Sequence, residues 1–151
     1  MNYKIGEAAE RLEVSVATLR FYEQKGLARP LRSAGGTRYY NEEGLDRLRV
    51  ILDLAHLELP LDALAELAGI RAEHTSGDSA SRAVENHLAA LEVELVEKQK
   101  RLRAMLADLR LARQRLTGCH NCPKRPTREN CAGCAVADDL LATRVMCLVW
   151  D

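Results

Sequence analysis

Four of the five cysteines fall within sixteen residues, as Cys119-His120-Asn121-Cys122 and Cys131-Ala132-Gly133-Cys134. Two C-x-x-C pairs separated by eight residues can present four thiolates to one centre, a set that suits tetrahedral Zn²⁺ or an iron-sulfur cluster. A zinc ion with four thiolates carries a net charge of −2. The intervening loop (Lys124, Arg125 and Arg128, less Glu129) carries +2, which fits an anionic centre. Pro123 and Asn130 add to the polarity of this loop, so its thiols do not read as small core hydrophobes, and Gly133 permits a tight metal knuckle. Paired C-x-x-C spacing favours zinc at Cys119, Cys122, Cys131 and Cys134, with an iron-sulfur cluster as the alternative. A closed four-thiolate zinc site leaves no open position and can be structural, whereas a cluster changes charge on oxidation and can bias a two-state protein. Cys147 reads either as a buried thiol on a last apolar segment or as an effector-sensing thiol beside Trp150. His56, His74 and His87 have no spaced partners, and His120 reads as solvated.

A long helix must hold this loop. Leu88, Leu95, Leu102, Leu109 and Leu116 repeat every seven residues, with Leu91, Met105 and Ala112 between them and Lys98 as the polar exception. This is a heptad seam over roughly residues 80–117, about 57 Å long at 1.5 Å per residue. The tail at 135–150 is too short to cover it as a hairpin, so a homodimer is expected, with Leu88, Leu91, Leu95, Leu102, Met105, Leu109 and Leu116 at the interface. Val136, Leu140, Leu141, Val145 and Leu148 predict a last short helix.

The composition bounds the rest. The 151 residues carry 22 basic and 22 acidic side chains, so any basic surface must be local. Leu, Ala, Glu and Arg dominate, which favours helix. There is no apolar leader and no run long enough for a membrane span, so a cytoplasmic address and no membrane partner are expected, with reduced thiols.

The N-terminal end is built differently. Ile5, Ala8, Ala9 and Leu12 form one face of a short helix over 4–12. Ser15 can cap a second helix, with Val14 and Leu19 as a hydrophobic staple and Gly26 as its stop. Two short helices around a tight turn make a helix-turn-helix. Gly35-Gly36 and Tyr39-Tyr40 predict a small hairpin wing. Asn41 can cap a third helix, and Pro60 can open a fourth. The resulting domains are 1–70 (winged helix-turn-helix), 71–79 (connector), 80–117 (dimerisation helix) and 118–151 (cysteine-rich region).

Small and polar residues in the first turns of the second helix, Ser15, Ala17 and Thr18, suit entry into a major groove. Arg20 and Lys25 can reach phosphates, the Tyr22 hydroxyl can donate to one, and Arg29, Arg32 and Arg38 charge the wing. Between Thr18 and Tyr40 there are five basic residues and one acidic residue, a local excess of +4.

Ile5-Gly6-Glu7-Ala8-Ala9, Thr18-Leu19-Arg20-Phe21-Tyr22-Glu23-Gln24-Lys25-Gly26-Leu27 and Arg38-Tyr39-Tyr40 resemble the N-terminal domain of the MerR family of bacterial transcription regulators. The match covers about residues 3–70. The resemblance implies a mainly α fold with a winged helix-turn-helix domain, a long antiparallel coiled-coil dimerisation helix, and here a small four-cysteine loop plus a short helix. It implies a homodimer on a pseudo-palindromic promoter that distorts the promoter spacer for RNA polymerase in response to a metal, redox or thiol-reactive signal. By position, Arg20 and Tyr22 would meet phosphates or base edges. Arg38 and Tyr40 would clamp the backbone from the wing, with Tyr39 on the same surface. The chain departs from the family at Glu13, where Gly is usual, and at Thr37, where an aromatic is common. Positive φ at Glu13 would cost about 1 kcal/mol. Effector sites in the family lie at the far end of the dimer helix, but the spacing here matches neither its copper and zinc sensors nor its iron-sulfur redox sensors.

Enzymatic function is not expected. A redox C-x-x-C usually opens a helix in a βαβ unit, and that strand pattern is missing. No nucleophile–base set or phosphate loop is present. A non-sensing adaptor with a zinc-bound loop is the remaining alternative.

Overall fold

A computed structural model describes residues 1–149. The chain divides into two compact units, Met1–Leu95 and from Val96 onward. Leu91 and Leu95 belong with the first, because they pack on its core; the division therefore falls inside the long helix and not at residues 71–79.

In the first unit, β1 (Asn2–Lys4) leads into α1 (Ile5–Arg11) and α2 (Val16–Gln24), then β2 (Leu31–Arg32), β3 (Arg38–Asn41), α3 (Glu42–His56) and α4 (Leu61–Glu73). α5 (Gly77–Leu116) follows after only His74–Ser76, so the connector is shorter than 71–79. The sheet is antiparallel in the order β1-β3-β2, with Tyr3 opposite Tyr40 and Arg32 opposite Arg38. β1 was not foreseen: three residues carry too little alternation to show in a sequence.

Local chemistry explains the helix boundaries. The Lys4 amide donates to Glu7 Oε2 at 2.7 Å at the start of α1. Ser15 Oγ accepts from the Thr18 amide at 3.0 Å, and Asn41 Oδ1 accepts from the Gly44 amide at 2.9 Å, so both expected caps form. Gly26, at φ 74°, ends α2 in the left-handed region. Glu13 does take positive φ, 55°, in the turn between α1 and α2. The core gathers Ala8, Leu19, Leu27, Leu45, Leu48 and Leu64 around Tyr22 and Tyr40.

The second unit holds the end of α5, a 3-10 turn (Thr117–Cys119), α6 (Arg128–Cys131), α7 (Ala135–Leu141) and a 3-10 helix (Arg144–Leu148). Ala112, Leu140 and Met146 form its core, with Leu116, Val136 and Val145 against them. The Asp108 carboxylate accepts from the amides of Arg144 at 2.9 Å and Val145 at 2.7 Å, which fixes the start of the last 3-10 helix. Arg115 donates to the Asp139 carbonyl. The tail thus folds back on the last turns of α5.

The seven-residue stripe is therefore not one continuous face for a partner. Leu91 is buried in the core of the first unit, with Leu95 packed against it, and Leu116 lies under the tail. All three are expected at a dimer interface; Leu91 is buried by its own chain, whereas Leu95 and Leu116 are half-buried and keep open surface. Leu88 (51% exposed), Leu102 (61%), Met105 and Leu109 remain open. No helix among the described residues is long and apolar enough to cross a membrane.

Candidate DNA-binding surface and cysteine loop

The residues expected to meet DNA divide into exposed and buried groups. Ser15, Ala17, Arg20, Lys25 and Arg32 are exposed, and Thr18, Arg38 and Tyr39 are half-buried. Tyr22 and Tyr40 are not surface groups. Tyr40 is 2% exposed and Tyr22 6%, and both rings belong to the core; the Tyr40 hydroxyl is itself buried and is not presented to a phosphate as expected. The alternation across β3 turns Tyr40 inward, opposite Tyr3 of β1, and Tyr22 lies beside Leu19 on the buried side of α2. Burial pushes both phenols above the usual tyrosine range. Among the described residues the Tyr40 hydroxyl has no hydrogen-bond partner.

Three of the basic side chains are already engaged. Lys25 Nζ lies 2.8 Å from Asp62 Oδ1 of α4. Arg32 and Arg38 both reach Glu23 of α2, through Nη2 to Oε1 and Nε to Oε2, each at 2.5 Å. The hydrogen bond from Arg38, joined by that from Arg32, holds the Glu23 carboxyl below its usual range. Sequence reasoning counted Glu23 only as the one acidic residue of the arm. Its place in the last turn of α2, with arginines on both wing strands, is the signal that could have found it.

The cysteine loop shows a repeated local design. The Cys122 amide donates to the Cys119 carbonyl at 3.1 Å, and the Cys134 amide to the Cys131 carbonyl at 3.1 Å. Within the first pair, His120 has φ −62° and ψ 138°, and Asn121 has φ 61°. Within the second, Ala132 has φ −59° and ψ 129°, and Gly133 has φ 70°. Both pairs are thus type II turns, with the left-handed position just before the second cysteine. Asn and Gly are the residues that tolerate that position. Asn121 was passed over in the sequence, although it aligns with Gly133 two residues after the first cysteine.

Cys119 and Cys131 are half-buried, and Cys122, Cys134 and Cys147 are exposed. Exposure of Cys147 removes its reading as a core thiol; its relation to Trp150 lies outside the described residues. The Cys119 thiol is pushed up, first by burial and then by the charges of Cys134, Cys122 and Cys131. Among the described residues, however, no three His, Cys, Asp or Glu side chains converge as a metal-holding group.

Comparison with known proteins places this geometry. Residues 3–69 match the family described as "MerR HTH family regulatory protein". The chain is 34% identical over 106 residues to the HTH-type transcriptional regulator ZntR of Escherichia coli (strain K12), covering 68% of this chain and 75% of that one. It is 30% identical over 135 residues to the mercuric resistance operon regulatory protein of Shigella flexneri, covering 89% and 92%. The crystal structure of the transcription regulator PbrR691 from Ralstonia metallidurans CH34 in complex with lead(II) is similar at TM-score 0.51 and 30% identity, covering 91% and 98%. An exposed polar start to α2, a basic wing and this likeness across most of the sequence lead to one assignment: the chain belongs to the MerR family and is a DNA-binding transcriptional regulator.

Proposed function

We propose that the chain works as a homodimer on a pseudo-palindromic promoter and that its cysteine loop is a four-thiolate metal site through which a metal ion controls transcription. The observation that carries this reading is the pair of matching type II turns, Cys119–Cys122 and Cys131–Cys134. Repetition of the same backbone turn points to two knuckles for one centre, since each presents its two thiols on one side of a tight bend. The +2 loop between the two pairs supplies an electrostatic complement to an anionic centre. Relatives whose names include mercuric resistance and a lead(II) complex support a metal signal.

Zinc is the favoured occupant, because its tetrahedral preference and affinity for thiolate match four cysteines in C-x-x-C pairs. An iron-sulfur cluster is the alternative. When bound, the ion would neutralise the thiolates and tie α6 and the start of α7 to the end of α5. On the DNA side, Ser15, Ala17 and Thr18 enter the major groove, and Arg20, Lys25, Arg32 and Arg38 contact phosphates. The open Leu88, Leu102, Met105 and Leu109 pair with a second copy. RNA polymerase is the partner at the distorted promoter, and the cytoplasm is where these contacts occur.

Anaerobic purification followed by metal analysis tests the site. The expected result is one colourless zinc per chain, and cobalt(II) exchange gives thiolate charge-transfer absorption that Cys119→Ser abolishes. Visible bands of the purified protein would replace zinc with a cluster. A metal-free chain with five freely titrating thiols would overturn the site. Retained zinc with promoter output unchanged across metals would leave a purely structural centre, the reading that a closed four-ligand site favours.

A further inference from the structure

The wing carries a conflict that another element resolves. Arg32 and Arg38 stand directly opposite each other in the β2–β3 ladder. Like charges opposed across a ladder repel and destabilise it. β2 is only two residues long, so few backbone bonds resist that repulsion. The charge that answers it comes from α2. Glu23 offers one carboxylate oxygen to each arginine, so a single side chain spans both wing strands and the helix meant for the major groove. Its side chain is 19% exposed, more sheltered than that of either arginine.

The pairing consumes little of what the arginines can offer. A guanidinium has five N–H donors. Arg38 uses its Nε and Arg32 one Nη2 toward Glu23, which leaves donors on both for phosphate oxygens. A carboxylate that merely masked the wing would face the forks head-on. Here each guanidinium is held by one nitrogen only.

We infer that Glu23 is a positioning residue of the DNA-binding surface, bracing Arg32 and Arg38 against α2 so that the wing and the groove helix are set relative to each other before DNA arrives. This rests on the reading of Arg32 and Arg38 as phosphate contacts. Glu23 itself touches no DNA. Its loss acts through the two arginines, which must then be ordered at the moment of binding, and ordering a long side chain weakens association.

The test uses the full-length chain and two probes: a 30-base-pair duplex enriched by the wild-type protein from a random library (about three helical turns, enough for two half-sites), and bulk random duplex. Glu23→Gln keeps size and removes charge. The expected result is an unchanged melting temperature and about tenfold weaker binding of the enriched duplex. The salt slope should become shallower by about 1–2, and binding to random duplex should weaken by a comparable factor, because phosphate contacts are sequence-independent. Glu23→Asp should restore part of the loss. In an Arg32→Gln/Arg38→Gln background, Glu23→Gln should have no further effect, and ¹⁵N spectra of the free protein should show the Arg38 Nε–H signal sharp in the wild type and averaged in Glu23→Gln. Tighter binding of both duplexes by Glu23→Gln would make Glu23 a mask and overturn the proposal, while leaving the arginines as contacts. Equal loss on both duplexes together with a lower melting temperature would make it structural and overturn it equally. If the double arginine variant binds both duplexes as well as wild type, the phosphate-contact reading itself falls, and the proposal with it.

Discussion

Gly118 shows how one missing side chain can set a site. Its backbone needs no left-handed angle; what it needs is room. A Cβ there would lie 3.0 and 3.1 Å from the two methyls of Val136, closer than packed carbons tolerate. Gly118 precedes Cys119, and Val136 lies two residues after Cys134, so this approach brings the two halves of the cysteine loop together. Gly118→Ala should cost about 1–3 kcal/mol by overpacking and should lower the amount of metal retained on purification. Urea unfolding measures the first effect and metal analysis the second. Val136→Ala added to Gly118→Ala should recover most of the stability, because it removes the atoms in conflict. A double variant no more stable than the single would mean that Gly118 is needed for another reason. The two C-x-x-C pairs were legible from the sequence alone. The approach of Gly118 to Val136 was not, because it depends on the path of seventeen intervening positions that no local pattern encodes.

At the scale of elements, the sequence disclosed what local chemistry determines. Ser15 and Asn41 announced two helix starts, Gly26 an ending, and Gly35-Gly36 the wing turn. What it left unclear was which partner each apolar stripe would find. Heptad spacing is the same whether leucines meet a second helix or the chain's own core, and Leu91 takes the second course. The tyrosines pose the same difficulty: β-alternation assigns neighbouring residues to opposite faces, yet which face is inside depends on the unforeseen β1 that pairs with β3. Leu91 gives the sharpest check. If it belongs to the folded core, Leu91→Ala should destabilise the first unit by about 2–5 kcal/mol through the cavity it leaves. That loss should appear at the same size across protein concentrations in chemical unfolding. A cost that appears only where a dimer forms would return Leu91 to the interface.

For the whole molecule, the unanswered apolar surface is the open part of α5. Leu102 and Met105 are exposed at 61% and 44%, and Leu109 lies one heptad beyond Leu102. Leu106 and Leu111 are also 40% exposed, which makes the stretch from 102 to 111 an unusually apolar run for a solvated helix. Neither the tail nor the N-terminal core covers these residues, whereas each covers another part of the same stripe. Length therefore decides function here: a 40-residue helix has more apolar stripe than one chain buries, and the surplus is what a second copy would bury. Leu102→Glu combined with Leu109→Glu places charges on that surplus and leaves both cores untouched. The expected outcome is a folded monomer by sedimentation, with unchanged helix content in the far-ultraviolet spectrum. Binding to a two-half-site duplex should fall by at least about 100-fold, since the second half-site contact no longer comes at high effective concentration. Binding to a single half-site should change little, because each DNA-binding arm remains intact. A double variant that still sediments as a dimer and still prefers the two-half-site duplex would place the interface elsewhere and leave the exposed stripe without this role.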